Sequence, residues 1–260
     1  MNKMDTALRE LGEMDDLAAG DSPIHRLHPA AKLITTVAYI VAAASFRKYD
    51  LSGLAPMLLF PMLLFQISGI PVRPCFYKLR IVLPLVLAVG LFNPFLDRTA
   101  ILRLGALSVS GGVISMLTLM LKGVLCLMVA FLLTATTSMD RLCAALRRMH
   151  IPSLPVTLLL LTWRYVGVLT RELSIMTDAY HLRAPGQRGV HISAWGSFLG
   201  QLLLRSADRA QELYDSMQLR GWNGQFHYAD VPPLRSADAA YLIGGTALIL
   251  LVRLVPVAEL

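Results

Sequence analysis

The sequence predicts an all-α, polytopic membrane helical bundle with long helices on its cytoplasmic side. Three observations predict it. Only 16% of the 260 residues are charged and 55% are hydrophobic, with a mean hydropathy of +0.58, whereas a soluble domain carries about 25% charged residues. The apolar residues gather into runs near the roughly 20 residues that span a bilayer. One stretch, 138–235, is instead polar, with 11 Lys+Arg and 7 Asp+Glu.

The elements follow in order. Glu10, Glu13, Asp15 and Asp16 precede the first apolar run, so the N-terminus does not read as a secretory signal peptide. Spans are expected at 33–46, 51–71, 80–96, 109–136 and 239–256. The first is short, but Lys32 and Arg47 can snorkel at its ends. Pro56, Pro61 and Pro84 fall inside spans, which a bilayer helix tolerates when neighbours satisfy the released carbonyl. Lys122 lies inside the fourth span, 15 residues before Thr137 and so roughly 22 Å from that end. It reads as a snorkelling lysine in the outer half or one buried against a neighbouring helix; the alternative is a functional cation within the membrane.

Basic residues set orientation, because Lys and Arg stay cytoplasmic. His25, Arg26, His28 and Lys32, then Arg73, Lys78 and Arg80 in linker 72–80, then Arg141, Arg147 and Arg148 belong on one side. The N-terminus is therefore expected in the cytoplasm, with loops 47–50 and 97–108 outside. The run 151–163 is short for a span and flanked by charge. It is expected to dip into the bundle or lie at the interface, leaving 138–235 cytoplasmic. The chain then divides into 1–137 with about four spans, a polar region 138–235, and a last span within 236–260. The net charge of +7 does not indicate nucleic-acid binding, because the basic residues are spread between apolar runs.

The polar region reads as two long helices, 154–183 and 192–220, separated by Pro185-Gly186-Gln187-Arg188-Gly189. Leu199, Leu202, Leu203, Ala210, Leu213, Tyr214 and Met217 recur at 3–4 residue spacing, which makes the second helix amphipathic. Each helix closes on the same pattern: Asp178-Ala179-Tyr180-His181-Leu182-Arg183-Ala184 and Asp215-Ser216-Met217-Gln218-Leu219-Arg220-Gly221. A terminal arginine can simply complement the helix dipole. Two in matching seven-residue contexts point to docking in a partner's acidic groove, since a guanidinium binds a carboxylate through two parallel hydrogen bonds.

The chain carries no P-loop, no G-x-S-x-G and no H-E-x-x-H. No catalytic residue, cofactor or metal is expected. His25-x-x-His28 has no Cys or carboxylate companion, and its alternative role is packing at the membrane face. Cys75, Cys126 and Cys143 have no paired spacing and read as reduced, buried thiols.

Several passages resemble the transmembrane T component of energy-coupling factor transporters, in its cobalt-transport (CbiQ) branch. They are Ser22-Pro23-Ile24-His25-Arg26-Leu27-His28-Pro29-Ala30-Ala31-Lys32-Leu33, Leu132-Leu133-Thr134-Ala135-Thr136-Thr137 with Asp140-Arg141-Leu142, Ala145-Leu146-Arg147-Arg148, Ile151-Pro152, Thr162-Trp163-Arg164-Tyr165 with Glu172, and Leu202-Leu203-Leu204-Arg205-Ser206-Ala207-Asp208-Arg209-Ala210 leading to Met217-Gln218-Leu219-Arg220-Gly221. They cover roughly 20–222.

The resemblance implies a non-catalytic scaffold in an inner membrane. Its partners would be two cytoplasmic ATPase subunits and a substrate-binding membrane subunit (CbiM-like), in a setting of cobalt uptake and cobalamin biosynthesis. It also implies that the long helices are coupling helices. The ATPase-docking triplets would be Leu182-Arg183-Ala184 and Leu219-Arg220-Gly221, where the family commonly has Ala first and Gly last. Nickel or a vitamin is the alternative substrate. Readings of other classes are a membrane enzyme using His25, His28 or the Asp178/Asp215 pair, and a stand-alone channel, for which no ring of polar pore residues is visible.

Overall fold

The computed structural model describes residues 12–13, 15–92, 100–104, 107–187, 189–224 and 233–254. Glu10, Asp97, Arg98, Arg188, His227 and the 93–96 and 255–256 ends of two expected spans lie outside these residues. The chain is an all-α polytopic membrane protein in architecture. Its helices are α1 Pro29–Ala44, α2 Leu51–Leu54, α3 Leu59–Ser68, α4 Val72–Gly90, α5 Gly111–Thr136, α6 Met139–Arg148, α7 Ser153–Arg183, α8 Trp195–Leu219 and α9 Ser236–Leu254. A short antiparallel hairpin, β1 Ala100–Leu104 and β2 Leu107–Ser110, precedes α5; it starts in the expected outer loop and takes the first two residues of the expected fourth span. Four helical stretches are long and apolar enough to cross a membrane: 51–68, α5, α7 and 236–253; α1 is a shorter apolar helix.

Two compact units form: Met1–Asp16 with Met139–Asp230, and Leu17–Ser138 with Val231–Leu260.

In the second unit, α1 lies between α5 and α9. Tyr39, Leu54, Met57, Phe60, Leu125, Val129 and Ile249 form its core. Tyr39 stacks on Phe60 at 5.1 Å between ring centroids, and its hydroxyl donates to the Met57 carbonyl. Small residues permit close approach, as in membrane packing generally. A Cβ on Gly245 would sit 3.0 Å from Thr35 Cγ2, and one on Gly90 would sit 3.0 Å from Met116 Cγ. The opposite faces stay apolar and exposed; on α4, Ile81 and Leu85 are 66% and 69% exposed. Two expectations shift. The second span is broken by a 3-10 turn, Ala55–Leu58, where Pro56 supplies no N–H, and it ends at Gly69 with φ +66°. Linker 72–80 is no linker: it is the first half of α4, started by extended Pro71. Its Lys78 ammonium lies over the Phe131 ring at 5.5 Å, so the helix absorbs this charge rather than ending at it.

Lysines bind helix ends reciprocally. Lys32 of α1 donates to the Thr136 carbonyl at the end of α5 (2.8 Å), and Lys122 of α5 donates to the Ala44 and Phe46 carbonyls at the end of α1 (3.2 and 2.6 Å). A helix C-terminus leaves carbonyls without partners and carries partial negative charge, which an ammonium satisfies. Arg253 adds bonds to the Ala42 carbonyl and the Ser45 hydroxyl. These contacts also fix direction. α1 and α5 run antiparallel. α1 and α9 run parallel, from His28–Asp238 at one end to Ala42–Arg253 at the other. The start of α1, the end of α5 and the start of α9 therefore share one end of this unit.

The first unit packs α6 against the start of α7 through Cys143, Val156 and Leu160, with an Asp140–Arg164 ion pair at 3.0 Å. His150 closes α6 at φ +64°, the left-handed position of a Schellman turn in which Ile151 N–H donates to the Leu146 carbonyl.

Candidate docking site

The two long helices are present. α7 is continuous for 31 residues and includes the run 151–163 from Ser153 onward; α8 has 25 residues and follows a 3-10 turn at Ile192–Ala194. They pair antiparallel. Tyr180 meets Phe198 edge to face at 5.6 Å. Glu172 accepts from Arg205 at 2.6 Å. The start of α7 and the end of α8 enclose an apolar groove of about 340 Å³ walled by Leu158, Leu161, Leu213, Tyr214, Met217 and Trp222.

This pairing places Arg183 and Arg220 at opposite ends of the helical pair. Each closes its own helix, and antiparallel helices end at opposite poles. The separation is about the length of α8, roughly 37 Å at 1.5 Å per residue. The same geometry keeps Asp178 and Asp215 apart, so they form no catalytic pair; Asp215 accepts from Gln211 instead.

Both arginines are exposed, and the leucines before them, Leu182 and Leu219, are 84% and 89% exposed. Among the described residues neither guanidinium has an ion-pair or hydrogen-bond partner. Arg164, Arg205 and Arg209 are each paired with a carboxylate. Leucines this exposed lose hydration only if something covers them. Each pole thus presents a charge beside an apolar side chain.

The matching triplets end differently. At the second, Arg220 is the C-cap and Gly221 takes φ +77°. Gly221 N–H donates to Gln218 and Trp222 N–H to Met217, a Schellman turn. At the first, Arg183 is the last helical residue and Ala184 stays at φ −126°; Pro185 then stops the helix and Gly186 takes the positive φ, +96°. Alanine in place of glycine moves the left-handed position two residues on.

The other residues singled out have structural partners. His25 Nε2–H donates to the Leu17 carbonyl (3.0 Å) while Nδ1 faces Ser22 Oγ (2.7 Å), and His28 Nδ1 accepts from Ala30 N–H as the N-cap of α1. Cys75 and Cys143 are buried; burial raises the Cys143 thiol pKa, aided by the Asp140 charge, so this thiol is poorly nucleophilic. Sequence reading passed over Asp238, which is buried and accepts from His28 and Arg235 N–H. Its only signal was a carboxylate three residues into a helix.

Apolar helices of spanning length, together with the long helix pair α7 and α8, define a polytopic helical membrane protein. The family model described as cobalt transport protein (CbiQ) matches residues 20–228, and the chain belongs to that family, the T components of energy-coupling factor transporters. The chain is 30% identical over 105 residues to the cobalt transport protein CbiQ of Rhodobacter capsulatus (40% of this chain, 43% of the relative). It is 32% identical over 114 residues to the nickel permease LarQ of Lactiplantibacillus plantarum (44% and 41%). It is 28% identical over 222 residues to the energy-coupling factor transporter transmembrane protein EcfT of Bacillus selenitireducens (79% and 81%). The first two alignments thus span less than half the length of those relatives.

Proposed function

We propose that this chain is the non-catalytic T subunit of an energy-coupling factor importer. It couples ATP hydrolysis by two cytoplasmic ATPase subunits to uptake of a transition-metal ion, cobalt first, through a CbiM-like substrate-binding membrane subunit. The observation that carries this reading is the placement of Arg183 and Arg220. Two exposed guanidiniums, without an ion-pair or hydrogen-bond partner among the described residues and some 37 Å apart, cannot enter one pocket. They suit two copies of one acidic groove, one on each half of an ATPase pair. Closure of that pair on nucleotide would move both grooves and drag the two helix ends with them, a hinge or shear transmission. Substrate choice belongs to the partner; the nickel permease relative keeps nickel as the second candidate.

The proposed orientation rests on chain passage. Segment 139–230 leaves and rejoins the second unit at the same end of that unit, so it crosses the membrane an even number of times. α7 is apolar enough to cross. Its return would have to be α8, which holds Arg205, Asp208, Arg209, Glu212 and Asp215. Arg and Asp cost about 2.5–3.5 kcal/mol each at the centre of a bilayer. This supports the reading that segment 139–230 stays on one side, which the positive-inside rule makes, with the N-terminus, cytoplasmic.

The test replaces Arg183 and Arg220 with Ala, singly and together. Loss of a desolvated charge contact costs about 2–5 kcal/mol, so each single variant should bind the ATPases tens of times more weakly or worse. The double variant should neither bind nor support uptake. Arg→Lys should weaken binding too, because Lys cannot form the bidentate contact. Wild-type association and uptake in the double variant would end the docking reading.

A further inference from the structure

The chain passes between the two units three times, after Asp16, after Ser138 and after Asp230. In the second unit, side chains beside these passages end on buried polar contacts at one pole. Next to the first, His25 holds the Leu17 carbonyl. Just before the second, the Lys32 ammonium holds the Thr136 carbonyl at 2.8 Å. After the third, Asp238 accepts from Arg235 N–H at 2.8 Å through one oxygen and from His28 N–H at 2.7 Å through the other. All four side chains are buried: His25 5%, His28 1%, Lys32 3% and Asp238 4% exposed.

The chemistry is specific to helix ends. Asp238 is the third residue of α9 and also reaches the N-cap of α1, so one carboxylate faces two helix N-termini. Each such terminus carries about half a positive charge, and both N–H groups lack intrahelical partners. Lys32 meets the opposite charge at the end of α5. A buried charge tolerates neither loss of its partners nor their displacement. An apolar side chain could fill the same volume, but it would not fix where a helix end points.

We propose that Lys32 and Asp238 are positioning residues that clasp the second and third chain passages. Displacement delivered along the chain from 139–230 then moves α1, α5 and α9 together instead of being lost in fraying helix ends. The clasp stands on the second unit alone; its role in coupling rests on the T-subunit reading above.

Hydrogen exchange on the full chain in lipid nanodiscs tests the clasp. Asp238→Ala should speed exchange of the His28 and Arg235 amides and of the first turns of α1 and α9 by about 10–100-fold. Asp238→Asn keeps one acceptor oxygen and should fall between; it also serves if the alanine variant does not fold. Lys32→Met should speed exchange in the last turn of α5, and Lys32→Arg should restore it. Unchanged exchange in Asp238→Asn and Lys32→Met would overturn the proposal. The second readout is cobalt ions taken up per ATP hydrolysed in the assembled complex. Asp238→Asn should lower that ratio several-fold with ATPase binding intact, an effect that simple destabilisation would not give. Loosened helix ends with a wild-type ratio would overturn the positioning role. If wild-type chain binds no ATPase, the T-subunit reading fails, and the exchange result alone then decides for or against the clasp.

Discussion

Replacing Lys122 with Met should loosen the end of α1 measurably. The ammonium donates to two carbonyls, at 3.2 and 2.6 Å, in the C-terminal turn of that helix and just beyond it. A hydrogen bond to a charged group contributes about 1.5–3 kcal/mol net. The side chain is only half-buried, and Arg253 supports Ala42 and Ser45 next to it, so the low end applies, about 2–3 kcal/mol in total. In a chain of this size each kcal/mol moves Tm by about 2–4 °C. Thermal unfolding in detergent, followed by circular dichroism, should therefore show a Tm lower by about 4–12 °C. Lys122→Arg should recover most of it. Because Lys122 and Arg253 support the same turn, the double Met variant should lose more than the sum of the single losses. An unchanged Tm in Lys122→Met would refute the capping argument and return Lys122 to the reading of an idle snorkelling lysine or a cation with another task.

Three further outcomes are expected. His150→Gly should raise stability by about 0.5–1 kcal/mol in denaturant or thermal titration, because His150 holds φ +64° where glycine carries no Cβ penalty. Gly245→Leu should lower it by about 1–3 kcal/mol, since even a Cβ there meets Thr35 Cγ2 at 3.0 Å. Desolvation first, then the Asp140 and Asp16 charges, raise the Asp15 pKa above its ordinary 3.8. A raised carboxylate pKa destabilises the fold above that pKa and ceases to do so as pH falls through it. Asp15→Asn should thus raise Tm slightly at pH 7 and make no difference below about pH 4, as stability curves at the two pH values would record.

The helices were legible because lipid imposes a coarse rule: apolar runs of near-spanning length. The break at Pro185 and the amphipathic spacing of α8 placed the long helices within a few residues of 153–183 and 195–219. In 72–80, Arg73, Lys78 and Arg80 read as a break in the sequence, whereas long basic side chains snorkel along a helix without ending it. The reciprocal lysine caps were not legible, because they depend on which helix ends meet. The same holds for Asp238, whose two partners are 3 and 210 residues away. At the candidate docking site the sequence supplied the two arginines. Their separation needed the antiparallel pairing of α7 and α8, which rests on Tyr180–Phe198 and Glu172–Arg205 contacts that no periodicity encodes.

The central claim is that the two arginine ends engage two ATPase subunits at once. Photo-crosslinking residues placed together at the exposed positions 182 and 219, in chain assembled with the ATPases and illuminated, test it by the mass of the product. The account predicts adducts at both positions and a product carrying two ATPase subunits per chain. A product in which both positions join one ATPase subunit, or in which neither is joined to any, would contradict it.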